Sequence, residues 1–206
     1  VTIDRLYGAW TKSSSDGQWH GLLVAGYLEE MYGGVGGEIL YRPFGKTYAF
    51  GAELWDAAKR DPDSAFSGTF SGDQALTGYL KAWYEIPQTD LTVGLKAGRY
   101  LAGDIGATLS LTKYAENGAR VEAFATATNQ SDADPFGGAT HLYSGLRLTL
   151  PLGNAPVIPR GSQMRFAAAP LGRNAGQSLE SPLPLYEITE PLSYRHITRH
   201  WAEVAE

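Results

Sequence analysis

No cysteine occurs in the 206 residues. Its absence excludes disulfides, thiolate metal sites, a cysteine nucleophile and a lipid-anchored N-terminal cysteine within this stretch. Long apolar runs are missing as well. Nothing approaches the roughly eighteen consecutive apolar residues of a spanning helix, and the opening Val1-Thr2-Ile3-Asp4 has neither the basic nor the apolar region of a signal peptide. Any export signal is expected outside these residues. Charge is scarce: charged residues make up 19% of the chain, below the roughly 25% usual in soluble domains. The formal net charge is -5 and no run of Lys or Arg appears, which argues against a nucleic-acid partner. No Gly-rich loop precedes a helix in phosphate-binding form, and no cofactor is expected.

What the chain has in abundance is glycine and tyrosine, 25 and 12 residues respectively, together with strict alternation. From Ala75 to Ile86, the residues Leu76, Leu80, Ala82, Tyr84 and Ile86 share one face, and Thr77, Tyr79, Lys81, Trp83 and Glu85 the other. The next segment sets Leu91, Val93, Leu95 and Ala97 against Thr92, Gly94, Lys96 and Gly98. A third sets Ile105, Ala107, Leu109 and Leu111 against Gly106, Thr108, Ser110 and Thr112. Side chains of a strand alternate faces, so each segment offers an apolar wall and a polar wall. Amphipathic segments of about ten residues, joined by connections alternating between short and long, are the pattern of a membrane-spanning barrel.

Alternation and turn chemistry predict strands near residues 4–12, 19–28, 35–43, 48–57, 75–86, 91–99, 105–115, 120–128 and 141–150. Tight turns are expected at Ser13 to Gln18, Gly45 to Thr47, Pro87 to Asp90 and Glu116 to Ala119, which carry Asp-Gly, Pro or Asn-Gly signals. Longer outward loops are expected at Ala58 to Gln74 and Asn129 to Thr140. The odd count conflicts with the even number found in single-chain bacterial barrels. Either an upstream strand completes the set, or Met164 to Ala169 forms a tenth, although Arg165 and Pro170 would make it short. The predicted fold is all-β: an antiparallel up-and-down transmembrane β-barrel of about nine or ten strands. Its strands occupy residues 1–152. Residues 153–206 form an irregular tail packing on the periplasmic side, with a short helix from Tyr194 to Ala205.

On this reading the polar wall carries Glu38, Arg42, Glu53, Lys81, Glu85, Lys96, Glu122 and Arg147, and Arg99 joins them as a lumen-facing candidate. A charge on the lipid side costs roughly 2 to 4 kcal/mol for Arg or Lys at mid-membrane, so these residues should point inward. They form either a ligand path or a set of interior salt bridges that fill the barrel. Leu80 or Leu95 replaced by Arg should then block membrane assembly, and Lys81 or Lys96 replaced by Ala should leave folding nearly intact. Tyr27, Tyr32, Tyr41, Trp10, Trp19, Trp55 and Trp83 suit an interfacial girdle, or alternatively sugar stacking. Tyr143 to Leu150 has the spacing of a barrel-assembly signal.

The four histidines offer little chemistry. His196 and His200 have ligand spacing on a helix, but no His-Glu-x-x-His pattern accompanies them and no metal site is expected. His141 and Ser144 fall on opposite faces of a strand and form no dyad. His20 has no evident partner. No catalytic constellation is visible, and the chain is expected not to be an enzyme.

Two stretches are distinctive: Gly26-Tyr27-Leu28-Glu29-Glu30-Met31-Tyr32-Gly33-Gly34-Val35-Gly36-Gly37-Glu38-Ile39-Leu40-Tyr41-Arg42-Pro43, and Gly98-Arg99-Tyr100-Leu101-Ala102-Gly103-Asp104-Ile105-Gly106-Ala107-Thr108. With Lys59-Arg60-Asp61, Asn117-Gly118, Phe124-Ala125-Thr126 and Pro170-Leu171-Gly172-Arg173, they make the chain resemble the YjbH family of bacterial outer-membrane proteins linked to exopolysaccharide and capsule production. The resemblance implies a large lipoprotein or porin-like protein, of which this chain would be the C-terminal barrel portion. The implied partners are outer-membrane lipid, an exopolysaccharide and other polysaccharide-secretion proteins. It brings no catalytic residues. Glu29, Arg42, Arg99 and Asp104 lie in the shared motifs, and Gly33, Gly34, Gly36 and Gly37 suit close strand approach. Two rivals remain: a soluble lipocalin-like barrel with its apolar face inward around a ligand, and an outer-membrane enzyme acting on lipid or glycan.

Overall fold

A computed structural model describes residues 5–29, 31–60, 70–115, 117–133, 137–152, 162–170 and 175–199. Ten strands follow one another: β1 (Leu6–Ser13), β2 (Trp19–Tyr27), β3 (Tyr32–Tyr41), β4 (Tyr48–Arg60), β5 (Phe70–Ile86), β6 (Leu91–Arg99), β7 (Ile105–Tyr114), β8 (Arg120–Ala133), β9 (Ala139–Pro151) and β10 (Gln163–Ala168). Each is hydrogen-bonded to the next in one sheet of order β1 to β10. The pairings are antiparallel from the first, β1 with β2, to the last, β9 with β10. Among the described residues the two edge strands do not pair with each other, so the sheet is not closed. Two short helices, α1 (Leu185–Ile188) and α2 (Tyr194–Arg199), flank a 3-10 turn at Glu190–Leu192.

The predicted segments appear as strands, and the tight turns fall where Asp16-Gly17 and Asn117-Gly118 stand. Gly17 and Gly118 take φ of 67° and 79°, the left-handed conformation that glycine adopts without steric cost. One of the two alternatives for the strand count is decided, and two expectations need correction. The tenth strand exists: Met164 and Phe166 face outward while Arg165 turns inward toward Glu187, so Arg165 fits the alternation. With ten strands the parity argument for an upstream partner loses its premise. The outward loops are also shorter than predicted. β4 and β5 run on to Arg60 and from Phe70, and β8 and β9 continue to Ala133 and from Ala139 after a register shift between Ala127 and Asp132. Polar side chains do not prevent the backbone from extending a ladder, so loss of apolar alternation is not the end of a strand. Residues 61–69 and 134–136 lie outside the described residues, as do residues 153–161, 171–174 and 200–206, with parts of the expected tail, helix and motifs.

The walls separate as the period-two pattern requires. Large apolar side chains are exposed on every strand, among them Trp10, Leu23, Ile39, Leu54, Leu80, Leu95, Leu109, Val121, Leu146 and Phe166; Leu80 is 71% exposed. The opposite wall is covered. Over β2 to β4 it holds an apolar core of Leu22, Val24, Leu40, Ala49 and Trp55, on which Leu179, Leu185 and Tyr186 of the C-terminal segment pack. Trp55 is fully buried and Trp83 stacks inside on Tyr186, with ring centroids 4.5 Å apart. Neither serves a girdle, whereas Trp10 and Trp19 are exposed. Alternation assigns a tryptophan to a face only when its neighbours are counted with it. A lipocalin-like arrangement would need the apolar wall covered and the charged wall open, the reverse of what is found.

Candidate functional site

The site grows from four charges that the strand register forces together. Glu38 of β3 stands directly opposite Glu53 of β4, and Lys81 of β5 directly opposite Lys96 of β6. Like charges in directly opposed positions repel. The carboxylate pair is relieved by Lys81, whose Nζ donates to Glu53 at 2.6 Å and to Glu38 at 3.2 Å. Both carboxylates are almost fully buried. Removing Lys81 would leave two facing buried anions, so the expectation that Lys81→Ala is tolerated is overturned. The long lysine side chain reaches across two strands, a contact that spacing along one strand cannot reveal.

The second layer is the chain's own C-terminal segment, residues 175–199, which runs along the polar wall from one end of the sheet to the other. At the β6–β7 end, the backbone N–H of Gly176 donates to the Asp104 carboxylate at 2.9 Å, and that of Leu101 to the Gln177 carbonyl at 2.9 Å. Midway, Lys96 donates to Ser178 Oγ at 2.7 Å and the Leu185 N–H donates to Glu38 Oε2 at 2.9 Å. At the end carrying the tight turns, Arg42 donates to the Tyr186 carbonyl at 3.0 Å and pairs with Glu85 at 2.8 Å and with Glu190. Its guanidinium lies 4.3 Å from the Tyr186 ring centroid. Arg195 binds Glu190 and Thr92 Oγ1, each at 2.8 Å. An arm at one end of the sheet was expected; only its final part lies there, because the acidic residues of the segment find their cations along the whole wall.

Glu29 and Arg147 complete the docking. The Glu180 N–H donates to Glu29 Oε1 at 3.0 Å, and burial of that carboxylate pushes Glu29 above the ordinary glutamate range. Arg147 pairs across strands with Glu122 at 2.8 Å and reaches Glu180 at 3.3 Å. Between this segment and the inner side of β6 to β9 remains a cavity of about 280 Å³. Lys96, Ser110, Thr112, Phe124, Tyr143 and Arg147 are among its walls.

Eight of the nine lumen-facing candidates therefore share the inner wall. Arg99 does not: it is exposed, on the side of Leu95 and Ala97, because an odd position in β6 falls with the apolar face. Seven of the eight form ion pairs with other residues of the chain. Lys96 is the exception, held by Ser178 and lying 4.9 Å and 5.5 Å from the ring centroids of Tyr79 and Tyr100. His20 does have a partner, Ser13 Oγ at 2.8 Å from Nδ1, because the two are directly opposed across β1 and β2. Among the described residues no group of His, Cys, Asp and Glu is arranged to hold a metal; His200 lies outside them. Sequence reading missed Ser178, Glu180, Glu187, Glu190 and Arg195. The one signal for them was the concentration of acidic residues between Glu180 and Glu190, complementary to the wall's arginines.

The motif residues Glu29, Arg42 and Asp104 thus all hold the C-terminal segment. The family described as "Exopolysaccharide biosynthesis protein YbjH" matches residues 1–191. The chain belongs to the YjbH family. A curated relative, "Uncharacterized lipoprotein YjbH" of Escherichia coli (strain K12), is 35% identical over 195 residues, covering 94% of this chain and 28% of the relative. The chain thus spans little more than a quarter of that relative's length. No solved structure matches it.

Proposed function

We propose that this chain is an outer-membrane β-barrel domain of a YjbH-family protein. In this reading it takes part in exopolysaccharide or capsule production or export without catalysing a reaction, beside outer-membrane lipid and other secretion proteins. The supporting observation is the outward wall. Exposed leucine, isoleucine, valine, phenylalanine and tryptophan recur on all ten strands, far beyond the isolated apolar residues of a soluble surface. Several strands are nine or ten residues long, close to the roughly 9 to 11 residues that cross a bilayer when tilted. In lipid each unpaired backbone group costs several kcal/mol, so the edges of β1 and β10 must pair there, with each other or with further strands. The inner segment makes this a filled barrel, and passage of a polymer requires it to move.

The test is refolding of the chain from urea with and without lipid vesicles, followed by gel mobility with and without boiling. A compact, heat-sensitive species that forms only with lipid is the expected result. A compact monomer in plain buffer, unchanged by lipid, would overturn the membrane reading.

A further inference from the structure

The cavity is lined by charges of both signs that can be matched residue by residue, the carboxylates being Glu38, Glu122, Glu180 and Glu187. Four cations line it: Lys81, Lys96, Arg120 and Arg147. Lys81 is taken by Glu38 and Glu53, Arg120 by Glu187, and Arg147 by Glu122 and Glu180. Lys96 has no carboxylate within ion-pair distance among the described residues. The register explains why: Lys96 faces Lys81 across β5 and β6, Glu38 and Glu53 are taken by Lys81, and Glu122, Glu180 and Glu187 are taken by Arg147 and Arg120. A partly buried ammonium served by one hydroxyl and two ring faces keeps donor capacity, since it carries three N–H groups.

Beside it, the opposing strand β7 presents hydroxyls at each inward position after Gly106. Lys96 is paired with Thr108, and Ser110 and Thr112 follow on the same face. Thr108 is engaged by Tyr100 and Thr126, whereas Ser110 and Thr112 have no side-chain partner among the described residues and both border the cavity. Phe124 and Tyr143, with ring centroids 5.6 Å apart, supply apolar surface. One cation outside the ion pairs that hold the other lining charges, with free hydroxyls and aromatic faces, in about 280 Å³, matches a sugar ring that carries one carboxylate. That volume lies at the small end of ligand pockets.

We propose that this cavity binds a uronate-type acidic sugar unit, its carboxylate on Lys96 Nζ and its ring hydroxyls on Ser110 and Thr112. The sugar identity rests on the polysaccharide reading above, and the anion on the geometry alone. The test is calorimetric titration of the folded chain with sodium D-glucuronate, D-glucose and sodium acetate. Glucuronate should bind about tenfold or more tighter than either of the others, the loss expected when one charge-assisted or several neutral hydrogen bonds are removed. Lys96→Met should remove the preference over glucose, and Ser110→Ala with Thr112→Val the preference over acetate. Equal binding of the three probes, or unchanged glucuronate binding in the Lys96 variant, overturns the proposal. If Lys96→Met fails to give the compact gel species, the Ser110/Thr112 variant decides alone: retained preference over acetate overturns the sugar assignment. The gel assay reports separately on the barrel, so a chain that folds in buffer and still selects glucuronate refutes the membrane reading and keeps this one.

Discussion

Gly36 shows how much a single hydrogen can decide. A Cβ there would sit 2.2 Å from Cε3 of Trp55 and 2.6 Å from the Leu54 carbonyl oxygen, so the indole of β4 lies flat over β3 only because β3 has no side chain at that point. Gly36→Ala should destabilise the folded chain by about 1 to 3 kcal/mol, the usual cost of overpacking, read as a lowered urea midpoint. Gly8→Ala, where nothing lies within 4 Å, should leave it unchanged. The two lysines form a second contrast. Lys81→Ala strands Glu38 and Glu53 and should cost about 3 to 5 kcal/mol, as breaking a buried ion pair does. Lys96→Ala removes a cation with no paired carboxylate and should have little effect on the same midpoint. Equal midpoints for the two variants would contradict the charge pairing described above.

Among the elements, the C-terminal segment stands out because none of its parts could hold a place alone. α1 and α2 are four and six residues long, too short to be stable as isolated helices. They persist because Leu185 and Tyr186 enter the apolar part of the inner wall over β2 to β4 and because Arg42, just after β3, holds the Tyr186 carbonyl and the Glu190 carboxylate beyond it. Arg42→Ala should therefore free the segment while leaving the ten strands paired. Limited proteolysis should cut within residues 175–199 at least about tenfold faster, as loss of a buried charge-assisted contact implies, with the strand signal in circular dichroism retained. A variant as resistant as the parent would mean that the segment is held by packing alone.

For the whole molecule, the outward wall makes the sharpest prediction. Leu80 and Leu95 are both exposed, on adjacent strands. In water, arginine at either place would be harmless. In a bilayer it costs roughly 2 to 4 kcal/mol near the midplane, so Leu80→Arg and Leu95→Arg should reduce the lipid-dependent, heat-sensitive fraction by at least about tenfold. Full assembly of both variants in vesicles would place this wall outside the membrane.

Much of this architecture was legible in the residues. Strand spans, tight turns and the division into apolar and polar walls follow from a period of two, which is a property of the backbone and needs no neighbours. The same period places Arg99 outside and Trp55 and Trp83 inside once their own strands are counted through. The tenth strand, with its alternating Met164-Arg165-Phe166, was readable too, but Arg165 resembles an interruption until its partner Glu187 is known. What alternation alone does not specify is which strand lies beside which, and hence which charges meet. Pairing of Lys81 with two carboxylates, the lack of an ion pair at Lys96 and the hydrogen bond of the Glu180 N–H to Glu29 all depend on distances across strands or from the sheet to residues 175–199. Those contacts span as many as 151 positions along the chain. Local periodicity determined the walls, and only the tertiary structure decided which groups on the inner wall are satisfied and which retain capacity for a ligand.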